Sequence, residues 1–147
     1  MSFFDSLDVA ASGLTAQRTR MDVTAENLAN AQTTRGANGQ PYQRQEVVLQ
    51  QAGTTFSSTL AGAMGAPSSQ AAGGVQVAGV VSDPTPDQLV YDPGNPDANK
   101  QGYVRMPNVN PVTEMTDLIS EPNSYQSDVT AMQTAKTMYS KTLDLLK

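Results

Sequence analysis

The sequence predicts a mainly α-helical chain with a small β-rich middle, in which the N- and C-terminal helices pair as a coiled coil. Apolar residues recur every three or four positions at both ends of the 147-residue chain, and this spacing lines one face of a helix. Between them, short alternating stretches are bounded by Gly, Pro and Asn, a pattern typical of strands and turns. We therefore predict one structural domain with helices at 1–34 and 111–147 and a β-rich middle at 35–110.

The first helix is predicted to run from about residue 3 to residue 31. Ser2 and Asp5 fit a capping box, and Asp5 and Asp8 lie where the helix dipole favours negative charge. The stripe is narrow because small or polar residues alternate with large ones. Its positions are Leu7, Ala10, Leu14, Gln17, Met21, Thr24 and Leu28. Such a stripe needs a second helix to pack against it.

The middle contains four predicted strands separated by turns. The strands are 42–50, 75–81, 89–91 and 103–106, and a dense Pro/Gly turn occupies 92–96. The stretch 53–74 is rich in Gly, Ala, Ser and Thr and has no charged residue. This composition predicts a flexible loop or insertion.

The last helix is predicted to begin at Asn110 and Pro111, since Asn is a favoured N-cap and Pro a favoured first helical residue. Alternating steps of four and three residues join Leu118, Pro122, Tyr125, Val129, Met132, Lys136, Tyr139, Leu143 and Leu146. Ala135 can replace the polar Lys136 on this stripe. Heptad spacing at both ends favours a coiled coil over two ordinary amphipathic helices.

The large residues of the two stripes are the predicted coiled-coil and subunit-interface residues. They are Leu7, Leu14, Met21, Leu28, Leu118, Tyr125, Val129, Met132, Tyr139, Leu143 and Leu146. One residue disturbs the second stripe: Pro122 predicts a kink or a restart near Glu121, because proline inside a helix costs about 3 kcal/mol.

Composition excludes several kinds of protein. The chain has no Cys and no His, which excludes disulfides, thiol nucleophiles, imidazole bases and the usual zinc sites. A net charge of −5 without a Lys/Arg run argues against a nucleic-acid surface. No apolar run is long enough to span a membrane, and the N-terminus lacks the regions of a cleaved signal peptide. The chain is thus cytoplasmic or exported by another route.

The acidic residues of the middle are the only candidates for carboxylate chemistry. Asp83, Asp87, Asp92 and Asp97 each lie near Pro or Gly in turn sequences. Paired carboxylates could serve hydrolysis or hold Ca²⁺, but turn formation explains all four and the EF-hand spacing is missing. We therefore predict no catalytic, cofactor-binding or metal-binding residues.

Asn27 and Asn30 stand out because Asn is unfavourable inside helices and readily forms local hydrogen bonds. Two asparagines within four positions at a helix end indicate either capping of the last turn or polar contacts between packed helices. The sequence does not favour one alternative over the other.

The residues around these asparagines resemble a known family. The segment 25–33, with its core Asn27, Leu28, Ala29 and Asn30, is similar to the N-terminal signature of bacterial flagellar rod and hook proteins. The segment 114–119, with 124–126, resembles their C-terminal signature. Three more segments, 39–42, 89–96 and 102–109, resemble proximal rod proteins in particular. The match fades over 53–74, Gln32 replaces the more usual Asn or Asp, and Glu121-Pro122-Asn123 departs from the family's helix-friendly residues.

The resemblance implies a structural subunit of the flagellar basal-body rod, not an enzyme, which assembles with copies of itself and other rod proteins into a torque-transmitting helical tube. It also implies delivery to the periplasm by the flagellar type III export apparatus, without a cleaved signal peptide, a cofactor, nucleic acid or a membrane span. Phe3 and Leu7 are spaced like the short hydrophobic signal of early export substrates. Packing of both residues on the first helical turn explains the spacing equally well.

Two other functions stay open on the residues alone. A soluble adaptor that binds through its helical pair would form a small complex of defined size. A carboxylate-dependent hydrolase would lose activity when one acid is changed.

Overall fold

The computed structural model describes residues 3–52, residue 64 and residues 73–144, with side chains from Asp5 onward. In chain order the elements are α1 (Phe3–Ala29), β1 (Gln45–Gln51), β2 (Val75–Ser82), β3 (Gln88–Tyr91), β4 (Tyr103–Met106) and α2 (Pro111–Asp144). The predicted terminal helices and β-containing middle are therefore present. Most of the predicted insertion at 53–74, Leu146 and the side chain of Phe3 lie outside the described residues.

α1 ends two residues before its predicted end because the side chains that follow it close the last turn. The Asn30 side chain donates from Nδ2 to the Glu26 carbonyl at 3.0 Å, and its Oδ1 accepts from Thr33 Oγ1 at 3.2 Å. The Ala31 amide reaches back only three residues, to the Leu28 carbonyl. These bonds form a tighter turn, which ends the α-helix.

α2 is helical without interruption from Pro111 to Asp144, so the prediction of a restart near Glu121 is wrong. Pro122 is exposed, which lets water replace the one backbone hydrogen bond that proline removes. Glu121, not Pro122, is the buried residue at this level. The inward stripe of α2 thus runs through Glu121.

The four strands form two separate two-stranded sheets, β1–β2 and β3–β4. Hydrogen bonds from Ala52 N to Gly74 O and from Asp83 N to Arg44 O join the two ends of the first pair, so it is antiparallel. β3 and β4 are antiparallel, and their register pairs are Gln88–Met106, Leu89–Arg105, Val90–Val104 and Tyr91–Tyr103. β4 occupies its predicted residues, whereas β1 begins three residues later than predicted.

Gly102 allows the β3–β4 connection to close. Its φ is +84°, and a Cβ there would lie 2.8 Å from Tyr91 Cε2. Tyr91 in turn packs edge-on against Tyr103, with ring centroids 5.3 Å apart. A side chain at this position would therefore disturb both the turn and the aromatic pair.

The chain divides into two compact units. Unit 1 comprises Met1–Arg18, Leu49–Ala78 and Asn123–Lys147, and unit 2 comprises Thr19–Val48 and Gly79–Pro122. Among the described residues, the fully buried apolar side chains of unit 2 are few: Val23, Ala31, Val104, Pro107 and Val109. They are accompanied by four buried polar residues, Thr24, Asn27, Glu114 and Glu121, so unit 2 depends on hydrogen bonds as well as on apolar burial. No helix among the described residues has the length and hydropathy needed to cross a membrane.

Candidate functional site

Asn27 is the centre of a buried hydrogen-bond network in unit 2. It lies on α1 and is 1% exposed. Its Nδ2 donates to the Gln45 carbonyl at 2.9 Å and to Glu114 Oε2 at 3.2 Å. Its Oδ1 accepts from the Gln45 amide and from the Tyr42 hydroxyl, both at 2.9 Å. All four hydrogen-bonding positions of the side chain are used, and α1, the start of β1 and α2 meet at this residue.

Glu114 supplies the buried negative charge of the network, and Arg44 neutralises it. Glu114 is 1% exposed, and its Oε1 accepts from Arg44 Nε at 2.7 Å. This hydrogen bond is the main reason why the pKa of Arg44 lies above its usual value. A second carboxylate, Asp83, lies 3.7 Å from Arg44 Nη1. A buried carboxylate with a charge-assisted bond of this kind is costly to disrupt from either side.

Asn108 connects the network to the two segments that follow β2 and β4. Its Oδ1 accepts from the Arg44 amide at 2.7 Å, and its Nδ2 donates to the carbonyls of Thr85 and Asp83 at 3.1 and 3.3 Å. Hydrogen bonds from Thr85, followed by the charge of Arg44, hold the pKa of Asp83 below its usual value. Asn27, Tyr42, Arg44, Asn108 and Glu114 are called the polar network below.

Tyr42 acts as a neutral donor in this network. Burial, and then the charges of Glu26 and Glu114, raise its pKa to about 12. The phenol therefore keeps its proton at any physiological pH and continues to donate to Asn27.

A second polar layer lies on the same two helices of unit 2. Glu121 is 5% exposed; its Oε1 accepts from Thr24 Oγ1 at 3.3 Å and lies 3.7 Å from Arg20 Nε. Its Oε2 is buried without a hydrogen-bond partner. Burial raises the pKa of Glu121, opposed by Arg20 and Thr24. Unlike Glu114, this carboxylate has hydrogen-bond and ion-pair partners on only one of its two oxygens, so the cost of its burial is only partly offset.

Replacing Glu121 with Gln is expected to raise the melting temperature at pH 7 and to have little effect near pH 4. Because the folded pKa of Glu121 lies above its ordinary value of 4.5, the folded chain favours the protonated form. Its contribution to stability is full below about pH 4.5 and is lost as the pH rises through the folded pKa. The amide stays neutral and can still accept from Thr24.

Thermal unfolding of the wild-type and variant chains from pH 4 to pH 8 measures this difference. Asp22→Asn is the control, because it removes an exposed carboxylate from α1. An equal gain from both variants, or a gain for Glu121→Gln that is largest at pH 4, would contradict the assignment.

Two acidic residues of the middle, Asp83 and Asp92, accept from amides in their own turns, whereas Asp97 contacts the segment that follows α1. Asp92 Oδ1 accepts from the Gly94 amide at 3.2 Å, and Asp83 Oδ1 accepts from the Thr85 amide at 2.9 Å. Asp97 accepts from Thr34 Oγ1 at 2.7 Å. Asp87 Oδ1 is buried without a hydrogen-bond partner. Within the described part of the chain, no three acidic side chains are grouped to hold a metal ion.

Most of the predicted coiled-coil and subunit-interface residues are half-buried. The half-buried ones are Leu7, Leu14, Met21, Leu28, Leu118, Tyr125, Val129 and Met132, whereas Tyr139 and Leu143 are exposed. The buried residues of the two helices in unit 2 are instead Val23, Thr24, Asn27, Glu114 and Glu121. The two alternatives left open for the asparagines are both realised: Asn27 contacts α2, and Asn30 closes the helix end.

Sequence reasoning missed Arg44, Glu114 and Glu121 as members of a buried site. The predicted spacing gave no signal for the two acids, because the alternating series continues backward from Leu118 to Met115 and forward to Pro122. The residues that are buried, Glu114 and Glu121, each lie one position before those. Nothing in the sequence marks Arg44 as the partner of Glu114, which lies 70 residues away.

Two family models match the chain, one at each end. The model described as "Flagella basal body rod protein" matches residues 7–37. The model described as "Flagellar basal body rod FlgEFG protein C-terminal" matches residues 100–145. The first segment contains Asn27, and the second contains Asn108 and Glu114.

Curated relatives match over the whole length. The chain is similar to the flagellar basal-body rod protein FlgC of Bacillus subtilis (strain 168), with 50% identity over 100% of both chains. It is 44% identical to FlgC of Yersinia enterocolitica over 99% of this chain and 98% of the relative. It is 37% identical to FlgC of Borreliella burgdorferi over 100% and 99%.

Proposed function

The chain belongs to the FlgC family of flagellar basal-body rod proteins, and we propose that it is a structural subunit of the bacterial basal-body rod. Its partners in this role are copies of itself and other rod proteins, with which it forms the helical tube of the proximal rod in the periplasm. The tube transmits torque. This task requires no catalytic residue, metal ion or cofactor.

The polar network is the observation that carries this proposal. The two segments matched by the family models lie at opposite ends of the chain, and the hydrogen bond between Asn27 and Glu114 joins them inside unit 2. A second contact joins Thr24 and Glu121. Because Thr24 precedes Asn27 whereas Glu121 follows Glu114, the two helices run antiparallel in this unit. A subunit that transmits torque needs its helices fixed to one another, and a fully satisfied buried network supplies such a rigid point.

The apolar stripes supply the assembly contacts in this proposal. Their large residues pair the terminal helices as a coiled coil and continue into neighbouring subunits. Half-burial of Leu14 and Val129 supports this, since it leaves apolar area for a neighbour to cover. In unit 1 the helices approach each other beside these residues: a Cβ on Gly13 would lie 3.7 Å from Asp128 Oδ2.

Purification of basal bodies from a motile strain that carries a tagged copy of the chain tests this function. We expect the chain in the rod fraction, together with other rod proteins, and loss of motility on deletion of its gene. Recovery of the chain only in a small soluble complex of fixed size would favour the adaptor instead.

Export is a separate part of the proposal, and the pair Phe3 and Leu7 is its signal. Replacing Phe3 and Phe4 with Ser is expected to stop secretion, because a recognition signal acts on the unfolded chain before any helix packs. The subunit then accumulates in the cytoplasm. The measurement compares the chain inside and outside the cytoplasm in a strain that cannot build rods.

Ser6→Ala in the same segment is the control and should be secreted normally. Secretion of the Phe3/Phe4 variant at normal levels, with failure only at assembly, would assign these residues to packing and remove their export role.

A further inference from the structure

A groove with a volume of about 420 Å³ lies in unit 2, between the segment that follows α1 and the β3–β4 hairpin. Thr34 and Arg35 line it from the first side, and Leu89, Tyr103 and Arg105 line it from the hairpin. Two arginines that are 70 positions apart in the sequence therefore share one opening. It is called the arginine groove below.

The hairpin side of the arginine groove is a fixed surface. The strand register places Leu89 opposite Arg105 and Tyr91 opposite Tyr103, and alternate residues of a strand lie on one face. These four side chains therefore share the outward face, whereas Val104 on the other face is 1% exposed. Tyr and Arg are enriched among the residues that contribute most to binding at protein interfaces.

The positive charge of the arginine groove is largely unused. Asp97 is the one acidic residue among its described lining residues. One of its oxygens accepts from Thr34 Oγ1, and the other lies 3.6 Å from Arg35 Nη1, which is too long for a hydrogen bond. Arg105 has no hydrogen-bond or ion-pair partner among the described residues. Both guanidinium groups thus keep donors in a planar fork, the geometry that matches a carboxylate.

The outward side of α1 in unit 2 carries carboxylates in the same unused state. Asp22, Ala25, Glu26 and Ala29 are exposed, and their spacing places them on one stripe of the helix. Neither acid has a side-chain partner within the described part of the chain, and Arg18, one turn before Asp22, forms no ion pair with it. Like charges one turn apart repel each other, so a cationic partner would relieve this pair.

The shape of this stripe suits close contact. Ala25 and Ala29 are small, so the helix backbone can approach a partner surface while Asp22 and Glu26 reach into it. These four residues are called the acidic stripe below.

Other acidic pairs on the helices fit the arginine groove less well. Asp5 and Asp8 are both exposed, but Asp5 already has an interaction within the chain. Asp117 is half-buried and Glu121 is buried, so neither can reach a second molecule freely. The acidic stripe is the pair that combines exposure, spacing of one turn and unused charge.

We propose that the acidic stripe of one copy of this chain docks into the arginine groove of a second copy. The inference rests on the proposed assembly into a rod and adds the two faces that meet. Complementary charge fixes the register of such a contact and disfavours wrong partners. Because two different faces are joined, the contact is heterologous and continues from copy to copy instead of closing into a dimer.

Cysteine cross-linking tests the contact, because the natural chain has no Cys. The full-length chain carrying Ala25→Cys and Leu89→Cys is incorporated into basal bodies, which are purified and treated with a short bis-maleimide linker. We expect a ladder of dimers, trimers and higher species under denaturing conditions, and no product from either single variant. Ala25→Cys with Val112→Cys is the control for random proximity, since Val112 is exposed on α2 outside the groove.

Charge reversal tests the attraction itself. Arg105→Glu is expected to lower incorporation into basal bodies about tenfold or more, because like charges that face each other across an interface are strongly unfavourable. Asp22→Lys with Glu26→Lys should have the same effect, and combining all three changes should restore incorporation. Arg105→Lys keeps the charge and is the matched control, for which we expect near-normal incorporation.

The outcomes separate this contact from the proposed function. Recovery of the wild-type chain in the rod fraction tests the assembly role, whereas the variants test the contact. A cysteine pair that is present in rods but gives no ladder overturns the contact alone, as does normal incorporation of Arg105→Glu. Products with a different protein only would mean another partner and would also overturn the proposal. Cross-linking decides the matter if the combined reversal variant does not fold.

Discussion

Replacement of Asn27 with Leu is expected to destabilise unit 2 by about 4 kcal/mol or more, because four groups lose their partner and each costs about 1–3 kcal/mol. These groups are the Tyr42 hydroxyl, the amide and carbonyl of Gln45, and the Glu114 carboxylate. Leu has a similar size, so the loss reflects hydrogen bonding more than a cavity. Denaturant unfolding of the full-length chain, followed by circular dichroism, measures the change.

Asn30→Leu is the matched control, since Asn30 belongs to the same Asn-Leu-Ala-Asn core. Its side chain bonds only to the Glu26 carbonyl and to Thr33 Oγ1 near the surface, so we expect a loss of about 1 kcal/mol or less. Equal losses for the two variants would show that the polar network contributes nothing beyond an ordinary helix cap.

The second large effect is on assembly. Leu14→Asp or Val129→Asp is expected to abolish incorporation into the rod, and with it motility, while secretion continues. Each change places a charge in an apolar contact, and burial of an unpaired carboxylate is prohibitive. Motility in soft agar and recovery of the chain from purified basal bodies measure the effect.

Asp92→Asn is the control for this prediction, because Asp92 only accepts from the Gly94 amide in a turn. We expect normal swimming. Loss of motility with Asp92→Asn, together with normal swimming of the Leu14→Asp and Val129→Asp variants, would reject the structural role and favour a carboxylate-dependent activity.

Sequence periodicity predicted the elements more completely than their contacts. The two helices and β4 followed from heptad spacing and from alternating residues between turns, since these are local properties of the chain. The uninterrupted course of α2 through Pro122 was not predicted, because the exposure of Pro122 depends on how α2 packs. Glu114 looked like an ordinary first-turn acid, because its bond to Arg44 joins residues that are 70 positions apart. Local sequence patterns do not indicate which distant residue a buried charge will pair with.

The role of Asn27 could be predicted only in part. Its unfavourable position inside a helix marked it as unusual, and its neighbours carried the family resemblance. The choice between capping and helix contact, however, depended on Tyr42, Gln45 and Glu114. Only the folded arrangement brings these groups to one point.

A cryo-electron microscopy map of the basal body, purified from the bacterium that encodes this chain, tests the central claim most directly. The account predicts density for the chain within the proximal rod, with Asn27 and Glu114 in contact and with α1 and α2 packed against neighbouring subunits. A complete rod map in which no subunit fits this sequence would contradict it.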